Sequence, residues 1–138
     1  MFSPHDIEYT TEQDDLVMEV MLQAAGHILR KHPDRHVFLD GRTFSREYQI
    51  EHVIHAASQL AQPWQILECV CDDDTTRTRL EAQASEGEHP AGNRTFDLYL
   101  EIKKRFEPIT RKKVVIETDQ PIEQCVTLAL PSLRQLTA

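Results

Sequence analysis

The stretch Trp64-Gln-Ile-Leu-Glu-Cys-Val-Cys-Asp-Asp-Asp-Thr75 joins a run rich in apolar and β-favouring residues to three consecutive carboxylates. The run follows Pro63 and predicts a buried strand over residues 64–71. Acidic side chains in a first turn suit the positive end of a helix dipole, so we expect a helix from residue 72 to about residue 84. A strand that leads directly into a helix is a building unit of α/β proteins.

A long helix is predicted near the N-terminus. Residues 9–31 carry apolar side chains at helical spacing, and the chain then reaches Pro33, which favours an end to the helix. Thr10 or Thr11 can cap this helix, because a glutamine or an aspartate stands three residues later.

A second strand and a second helix are predicted between this helix and the opening stretch. The segment His36-Val-Phe-Leu-Asp40 has the pattern of a buried parallel strand that opens into a loop. Residues 45–61 return to helical spacing, with Thr43 or Ser45 as the candidate cap.

Three further elements are predicted on the C-terminal side. Turn-forming residues concentrate in residues 85–93 and predict a loop, after which residues 96–106 resume helical spacing. Residues 113–118 form a β-branched strand, and residues 121–136 a closing helix in which Pro131 should bend or interrupt the backbone.

Alternating helices and strands predict an α/β fold in which a parallel sheet is covered on both faces, because parallel strands need crossover connections. The length of 138 residues fits one domain. Three predicted strands make a small sheet. Either a further strand lies near the N-terminus, or part of a larger domain is missing.

Charge and composition restrict the functional classes. Fifteen basic and 23 acidic residues give a formal charge of −8, which disfavours general nucleic-acid binding. The sequence has no apolar run of about 18 residues and no signal peptide at its N-terminus, so we expect a cytoplasmic protein without a membrane span. The three cysteines, two of them at Cys69 and Cys71, are expected to be reduced thiols.

Asp40 is the first candidate site residue. In open α/β sheets a ligand lies beyond the carboxyl ends of the strands, where a carboxylate can hold a magnesium ion bound to phosphates. An aspartate before Gly41 is also ordinary turn chemistry, and the residues alone leave both readings open.

Three arginines flank the predicted loop at residues 85–93. Arg77 and Arg79 lie on the helix before it, and Arg94 follows it. Guanidinium groups that arrive when a lid closes can neutralise a phosphoryl group and exclude water. The alternative is that they are surface arginines paired with neighbouring glutamates.

Other polar clusters do not fit a known site. His52 and His55 lie three residues apart on a predicted helix, but no third metal ligand stands at a recognisable spacing. The run from Asp72 to Asp74 is better explained as a helix start than as a calcium loop. No nucleophile elbow and no dinucleotide-binding fingerprint occurs.

Several segments form an ordered set along residues 37–133. They are Val37-Phe-Leu-Asp-Gly-Arg-Thr-Phe44 with Arg46, Glu68-Cys-Val70 with Arg77-Thr-Arg-Leu80, His89-Pro-Ala-Gly-Asn-Arg94, Tyr99, Phe106-Glu-Pro108, and Val115-Ile-Glu-Thr-Asp-Gln-Pro121. In this order they resemble the AAA-type predicted kinase family of P-loop phosphotransferases, whose relatives include polynucleotide kinase and zeta-toxin-like kinases.

The resemblance implies an incomplete three-layer P-loop kinase-like fold, with a small parallel sheet and flanking helices, in a single domain over residues 1–138. The first segment is similar to a Walker B strand, and a lid-like segment is expected at about residues 85–95. The implied reaction is phosphoryl transfer from ATP, with Mg²⁺, to an unknown acceptor. The resemblance implies catalytic roles for Asp40, Arg79 and Arg94, nucleotide contacts from Arg77 and Arg46, and magnesium binding by Asp40.

Two departures from the family bear on this expectation. Gln83 stands where family members often carry another arginine, and nothing in the chain matches the phosphate loop G-x-x-x-x-G-K-[ST]. Family members place that loop before the point that corresponds to Met1, which therefore resembles an internal start. We expect little catalysis from these residues alone. The missing central strand would leave sheet edges exposed and favour a homo-oligomer.

Two other functions remain open at this stage. The chain could be a non-catalytic module that binds anions or a partner protein and derives from a kinase fold. It could also be an unrelated α/β domain.

Overall fold

The computed structural model describes residues 10–40, 44–86 and 94–136, and in these ranges it contains five helices and two strands. The mixed α/β class is thereby confirmed. Contacts divide the described chain into two compact units, residues 10–64 and residues 65–136, and each is described by itself. A single domain over residues 1–138 stays a prediction. The elements are α1 (Thr11–Lys31), α2 (Glu47–Gln59), β1 (Ile66–Val70), α3 (Asp73–Glu86), α4 (Phe96–Arg105), β2 (Lys113–Glu117) and α5 (Ile122–Leu136).

The first unit begins with α1, whose start confirms the predicted threonine cap. The Thr10 hydroxyl accepts a hydrogen bond from the Gln13 amide at 3.2 Å, which satisfies one of the free N–H groups of the first turn. The helix ends at His32, whose amide donates to the Ile28 carbonyl. Pro33 follows and cannot continue the ladder.

The start of α2 differs from the prediction. Arg46 is the N-cap residue, and its amide donates to Oε1 of Gln49 at 3.1 Å. Ser45 is therefore not the cap, and Thr43 lies outside the described residues. The buried Gln49 side chain caps the helix start instead, because its amide oxygen reaches back to the N-cap amide, as the third residue of a capping box does.

Helices α1 and α2 pack side by side and run in the same direction. The Tyr48 hydroxyl donates to Asp15 at 3.1 Å, and His52 Nε2 lies 3.8 Å from a Glu19 carboxylate oxygen, so the contacts advance together along both helices. The core of this unit contains Met18, which is 1% exposed. Its burial removes apolar surface from water and so stabilises the unit.

The predicted strand over residues 36–40 is wrong. This segment has no regular structure, and Phe38 is 64% exposed. A strand needs a hydrogen-bonding neighbour, and within the described ranges β1 and β2 pair only with each other. The predicted three-stranded sheet is therefore corrected to two strands. Asp40 ends an irregular exposed segment rather than a buried strand.

The second unit is built on the parallel pair β1 and β2. Their register runs from Ile66 beside Lys113 to Val70 beside Glu117. The strands are connected through α3 and α4, as parallel pairing requires, and α5 then packs on β2. Ile116 is the most buried residue of the sheet.

The closing helix α5 is continuous through Pro131, so the predicted interruption does not occur. A proline removes the hydrogen bond to the carbonyl four residues earlier, which belongs to Thr127. Both Pro131 and Thr127 are exposed, so water can solvate that carbonyl. The loss is therefore tolerated on this side of the helix.

Met18→Ala should lower the free energy of unfolding by about 2–5 kcal/mol, because it removes a fully buried side chain and leaves a cavity. Leu16→Ala on the same helix is the control. Leu16 is 53% exposed, and its truncation should cost less than about 1 kcal/mol. Urea unfolding followed by far-UV circular dichroism measures both, and equal losses would contradict the described core.

Candidate functional site

The carboxyl ends of β1 and β2 meet at one point of the second unit. The amide and the hydroxyl of Thr118, the residue after β2, both donate to the Val70 carbonyl, at 2.8 and 2.9 Å. Ligand sites of open parallel sheets lie beyond this edge. The residues that leave the two strands here, from Cys71 on one side and Thr118 on the other, therefore define the candidate site.

Arg79 links helix α3 to both strand ends. Its Nη2 donates to the Thr118 carbonyl at 2.6 Å, and its Nη1 lies 3.5 Å from the Thr118 hydroxyl and 3.7 Å from the Cys71 sulfur. A guanidinium can make these bonds together because its five donors form a rigid fork. The structure thus gives Arg79 a positioning contact, while its phosphate-binding role stays a prediction.

Two carboxylates make this end of the sheet acidic. Asp72 accepts hydrogen bonds from the amide and the hydroxyl of Thr75, at 2.7 and 2.9 Å, and so caps α3. These bonds are the main reason why the pKa of Asp72 lies below its ordinary value, and the Asp119 side chain is a neighbour of Asp72 at this end of the sheet. Carboxylates repel phosphate, so an anion site is expected farther out on the helices.

Helices α3 and α4 form an antiparallel hairpin beyond the sheet. Asp73 at the start of α3 contacts Tyr99 and Lys103 on α4, while Arg77, one turn later, contacts Phe96 at the start of α4. Contacts that advance along α3 thus move backwards along α4. Thr95 is the N-cap of α4, and its hydroxyl accepts a hydrogen bond from the Leu98 amide at 3.1 Å. The cap lies where the second helix of the hairpin begins.

Asp73 is the polar centre of the hairpin. Its Oδ1 accepts from Lys103 Nζ at 2.6 Å and from the Tyr99 hydroxyl at 2.8 Å. The bond from Lys103, and then that from Tyr99, hold the pKa of the Asp73 carboxyl below its ordinary value. The same bond raises the pKa of the Lys103 ammonium, so both groups stay charged near neutral pH.

A stack of cationic and aromatic side chains extends along the hairpin. The Arg77 guanidinium lies 4.3 Å from the centre of the Phe96 ring, which stacks on Tyr99 at 5.5 Å between ring centres. Such cation–π contact holds a guanidinium in place without neutralising its charge.

Arg77 lies over the ring of Phe96, and Arg94 precedes that ring closely in the chain. Arg94 is exposed and stands two residues before Phe96, the ring that Arg77 covers. Neither arginine has an ion pair within residues 10–40, 44–86 and 94–136. Of the lid-like segment predicted at about residues 85–95, residues 87–93 lie outside the described chain.

The two remaining predicted site residues, Asp40 and Arg46, belong to the first unit, where both are exposed. Magnesium binding by Asp40 stays a prediction, and the described ranges contain no group of three or more potential metal ligands of the His, Cys, Asp and Glu types. His52 and His55 instead face polar residues of their own unit, Glu19 and Gln59.

The sequence analysis missed the residues that build the hairpin and the strand ends. The sequence places Asp73 at a helix start, Tyr99 among the segments that carry the resemblance and Thr118 at a strand end, and none of these three is predicted to belong to the site. One signal is present for Thr118, since it is the last residue of a predicted parallel strand, and ligand sites lie beyond the carboxyl ends of such strands. No spacing rule joins Asp73 to Lys103, because the contact depends on how the hairpin folds back.

Comparisons with protein-family models, with curated proteins and with solved structures find no match to this chain. None of the helices in the described ranges combines the length and the apolar character needed to cross a bilayer. The functional assignment therefore rests on the chain's own residues and on the resemblance described above.

Arg79→Ala should lower the free energy of unfolding by about 1–3 kcal/mol, because the Thr118 carbonyl loses a charge-assisted hydrogen bond. Arg105→Ala is the control. Arg105 is exposed, and its ion pair with Glu101 on the same helix, at 3.6 Å, is worth about 0.5 kcal/mol. Urea unfolding measures both. A loss for Arg79→Ala no larger than that of the control would contradict the positioning contact.

The Asp73 contact should make stability depend on pH below the ordinary carboxyl pKa of 3.8. A carboxyl whose pKa is lowered in the folded state stabilises fully above its unfolded value, and this stabilisation is lost as pH falls through the folded value. Asp73→Asn should remove part of the loss of stability that occurs below pH 3.8. Urea unfolding midpoints at several pH values measure this loss. Asp74→Asn, in the same helical turn, should remove less, and identical curves for the two variants would contradict the assignment.

Proposed function

We propose that this chain provides phosphate contacts in a P-loop kinase-type phosphotransferase, with the triphosphate of ATP as the ligand. The observation that carries the proposal is a pair of exposed arginines on the hairpin that connects the parallel strands: Arg77, which lies over the Phe96 ring, and Arg94, two residues before that ring in the chain. This position fits the lid arginines that the resemblance implies.

The chemistry of the pair suits a polyphosphate. Guanidinium groups bind phosphate oxygens through parallel hydrogen bonds, and two of them can neutralise charge that a single lysine cannot. The chain as a whole is acidic, so long-range attraction of an anion is weak and binding depends on these local cations. A compact, highly charged ligand gains most from such a site.

The other assigned residues have separate roles in the proposal. Arg79, held at the Thr118 carbonyl, fixes the base of the hairpin and keeps α3 aligned with the strand ends. Magnesium binding by Asp40 and a nucleotide contact from Arg46 stay expectations of the resemblance, because both residues belong to the first unit. One carboxylate suffices for magnesium only when phosphate oxygens complete the coordination.

Phosphoryl transfer itself needs more than these residues. No part of the 138-residue sequence matches the phosphate loop, whose backbone amides and lysine hold the β- and γ-phosphates. The proposal is therefore ATP binding with little turnover by this chain alone, and transfer to an unknown acceptor where a phosphate loop is supplied.

A second candidate function is a non-catalytic module that binds anions or the acidic surface of a partner protein. The absence of a phosphate-loop motif from the sequence favours this second function. Without that loop, the hairpin arginines recognise negative charge rather than a nucleotide. The two functions differ in whether the adenosine part and magnesium add to the affinity.

Calorimetric titration with ATP and Mg²⁺ tests the proposal. We expect saturable binding whose Kd rises about tenfold or more in Arg94→Ala and in Arg77→Ala, because each variant loses a charge-assisted contact. Arg105→Ala on α4 removes an exposed charge outside the pair and should leave the Kd within about twofold.

Inorganic triphosphate separates the two functions. Weaker binding of triphosphate than of ATP supports the kinase-type assignment, whereas equal affinities support the anion-binding module. The absence of binding by both ligands, or an equal effect of Arg105→Ala and Arg94→Ala, would contradict a phosphate site at Arg77 and Arg94.

A further inference from the structure

The closing helix α5 exposes an apolar stripe that no described residue of the second unit covers. Ile122, Val126 and Leu130 recur at intervals of four residues and are 73%, 47% and 41% exposed. Residues four apart lie on one side of a helix. We call these three residues the α5 stripe.

The α5 stripe lies on a different side of the helix from the face that packs on the sheet. The buried Ser132 and the half-buried Cys125 and Ala129 form the packed face, and the Cys125 thiol lies 3.5 Å from the Glu117 carbonyl at the end of β2. Apolar residues thus cover more than one face of α5. A second apolar face on a surface helix marks an interaction site.

Two charged residues of opposite sign border the α5 stripe. Glu123 and Arg134 are exposed and are separated by 11 positions, which corresponds to about three helical turns and places them on one side of the helix. The negative residue lies at the N-terminal end of the stripe and the positive one beyond its C-terminal end. When a second copy of the helix lies antiparallel to the first, each negative residue therefore lies near a positive residue of the other copy.

We propose that two copies of this chain associate through the α5 stripe, with the two α5 helices antiparallel about a two-fold axis. Val126 of one copy lies beside Leu130 of the other, and the same register brings Glu123 to within about one residue, or about 1.5 Å along the axis, of the level of Arg134 in the second copy. Each dimer thus buries two apolar pairs between two ion pairs.

The pattern favours a second copy over an unrelated protein. A two-fold interface must be complementary to itself, so a charge at one end of an apolar stripe requires the opposite charge at the other end. The α5 stripe meets this requirement with its own residues. Ile122 adds to the contact, because it lies at the level of the partner's arginine and can cover its methylene groups. The inference is independent of the proposed phosphate site.

Sedimentation equilibrium over a range of protein concentrations tests the association. We expect a monomer–dimer equilibrium whose Kd rises at least about tenfold in Val126→Asp, which buries a carboxylate in the apolar contact. Leu16→Asp on α1 is the matched control, because Leu16 is an equally exposed apolar residue outside the α5 stripe, and it should leave the Kd unchanged. Far-UV circular dichroism verifies that both variants fold.

Charge reversal tests the antiparallel register. Glu123→Arg and Arg134→Glu should each weaken the dimer, and the double variant should restore it, because the ion pairs then form with exchanged signs. A chain that stays monomeric at all concentrations overturns the proposal. A dimer whose Kd is unchanged in Val126→Asp overturns the α5 interface, and so does a double variant that dimerises no more tightly than the single variants. The α5 stripe would then bind another protein or a further segment of a longer chain.

Discussion

Parallel pairing of β1 with β2 is the constraint on which the second unit depends. Two strands that run in the same direction cannot be joined by a tight turn, so the chain between them must leave the sheet and return. In this protein it does so through the hairpin of α3 and α4. The same constraint brings Val70 and Thr118 together and lets Arg79 bind the base of the hairpin to both strand ends.

Charge is distributed unevenly along this connection, and the distribution has a functional consequence. Asp72 and Asp119 lie at the strand ends, Asp73 is paired with Lys103, and Arg77 and Arg94 on the hairpin have no ion pair within the described residues. This distribution is the reason why the proposed phosphate site lies on the hairpin and not at the strand ends. A site of this kind supports binding more readily than chemistry, because the reacting groups would have to come from elsewhere.

The first unit shows how packing can override a local pattern. Residues 36–40 have the composition of a buried strand, yet they remain irregular, because no strand in the described part of the chain supplies hydrogen bonds to their backbone. The helices on either side are less dependent on partners, since their hydrogen bonds are internal and their starts are capped by Thr10 and Gln49.

The sequence by itself determined the five helices, both strands of the sheet and the mixed α/β class, because helical spacing, β-branched runs and caps act over a few neighbouring residues. It also identified Arg77, Arg79 and Arg94 as cations near one loop. Only the tertiary structure decided that residues 36–40 form no strand, that Arg79 is bound to Thr118, and that Asp73 joins Tyr99 and Lys103. These outcomes depend on strand pairing and on the way the hairpin folds back, and both are contacts between distant positions that no local pattern encodes.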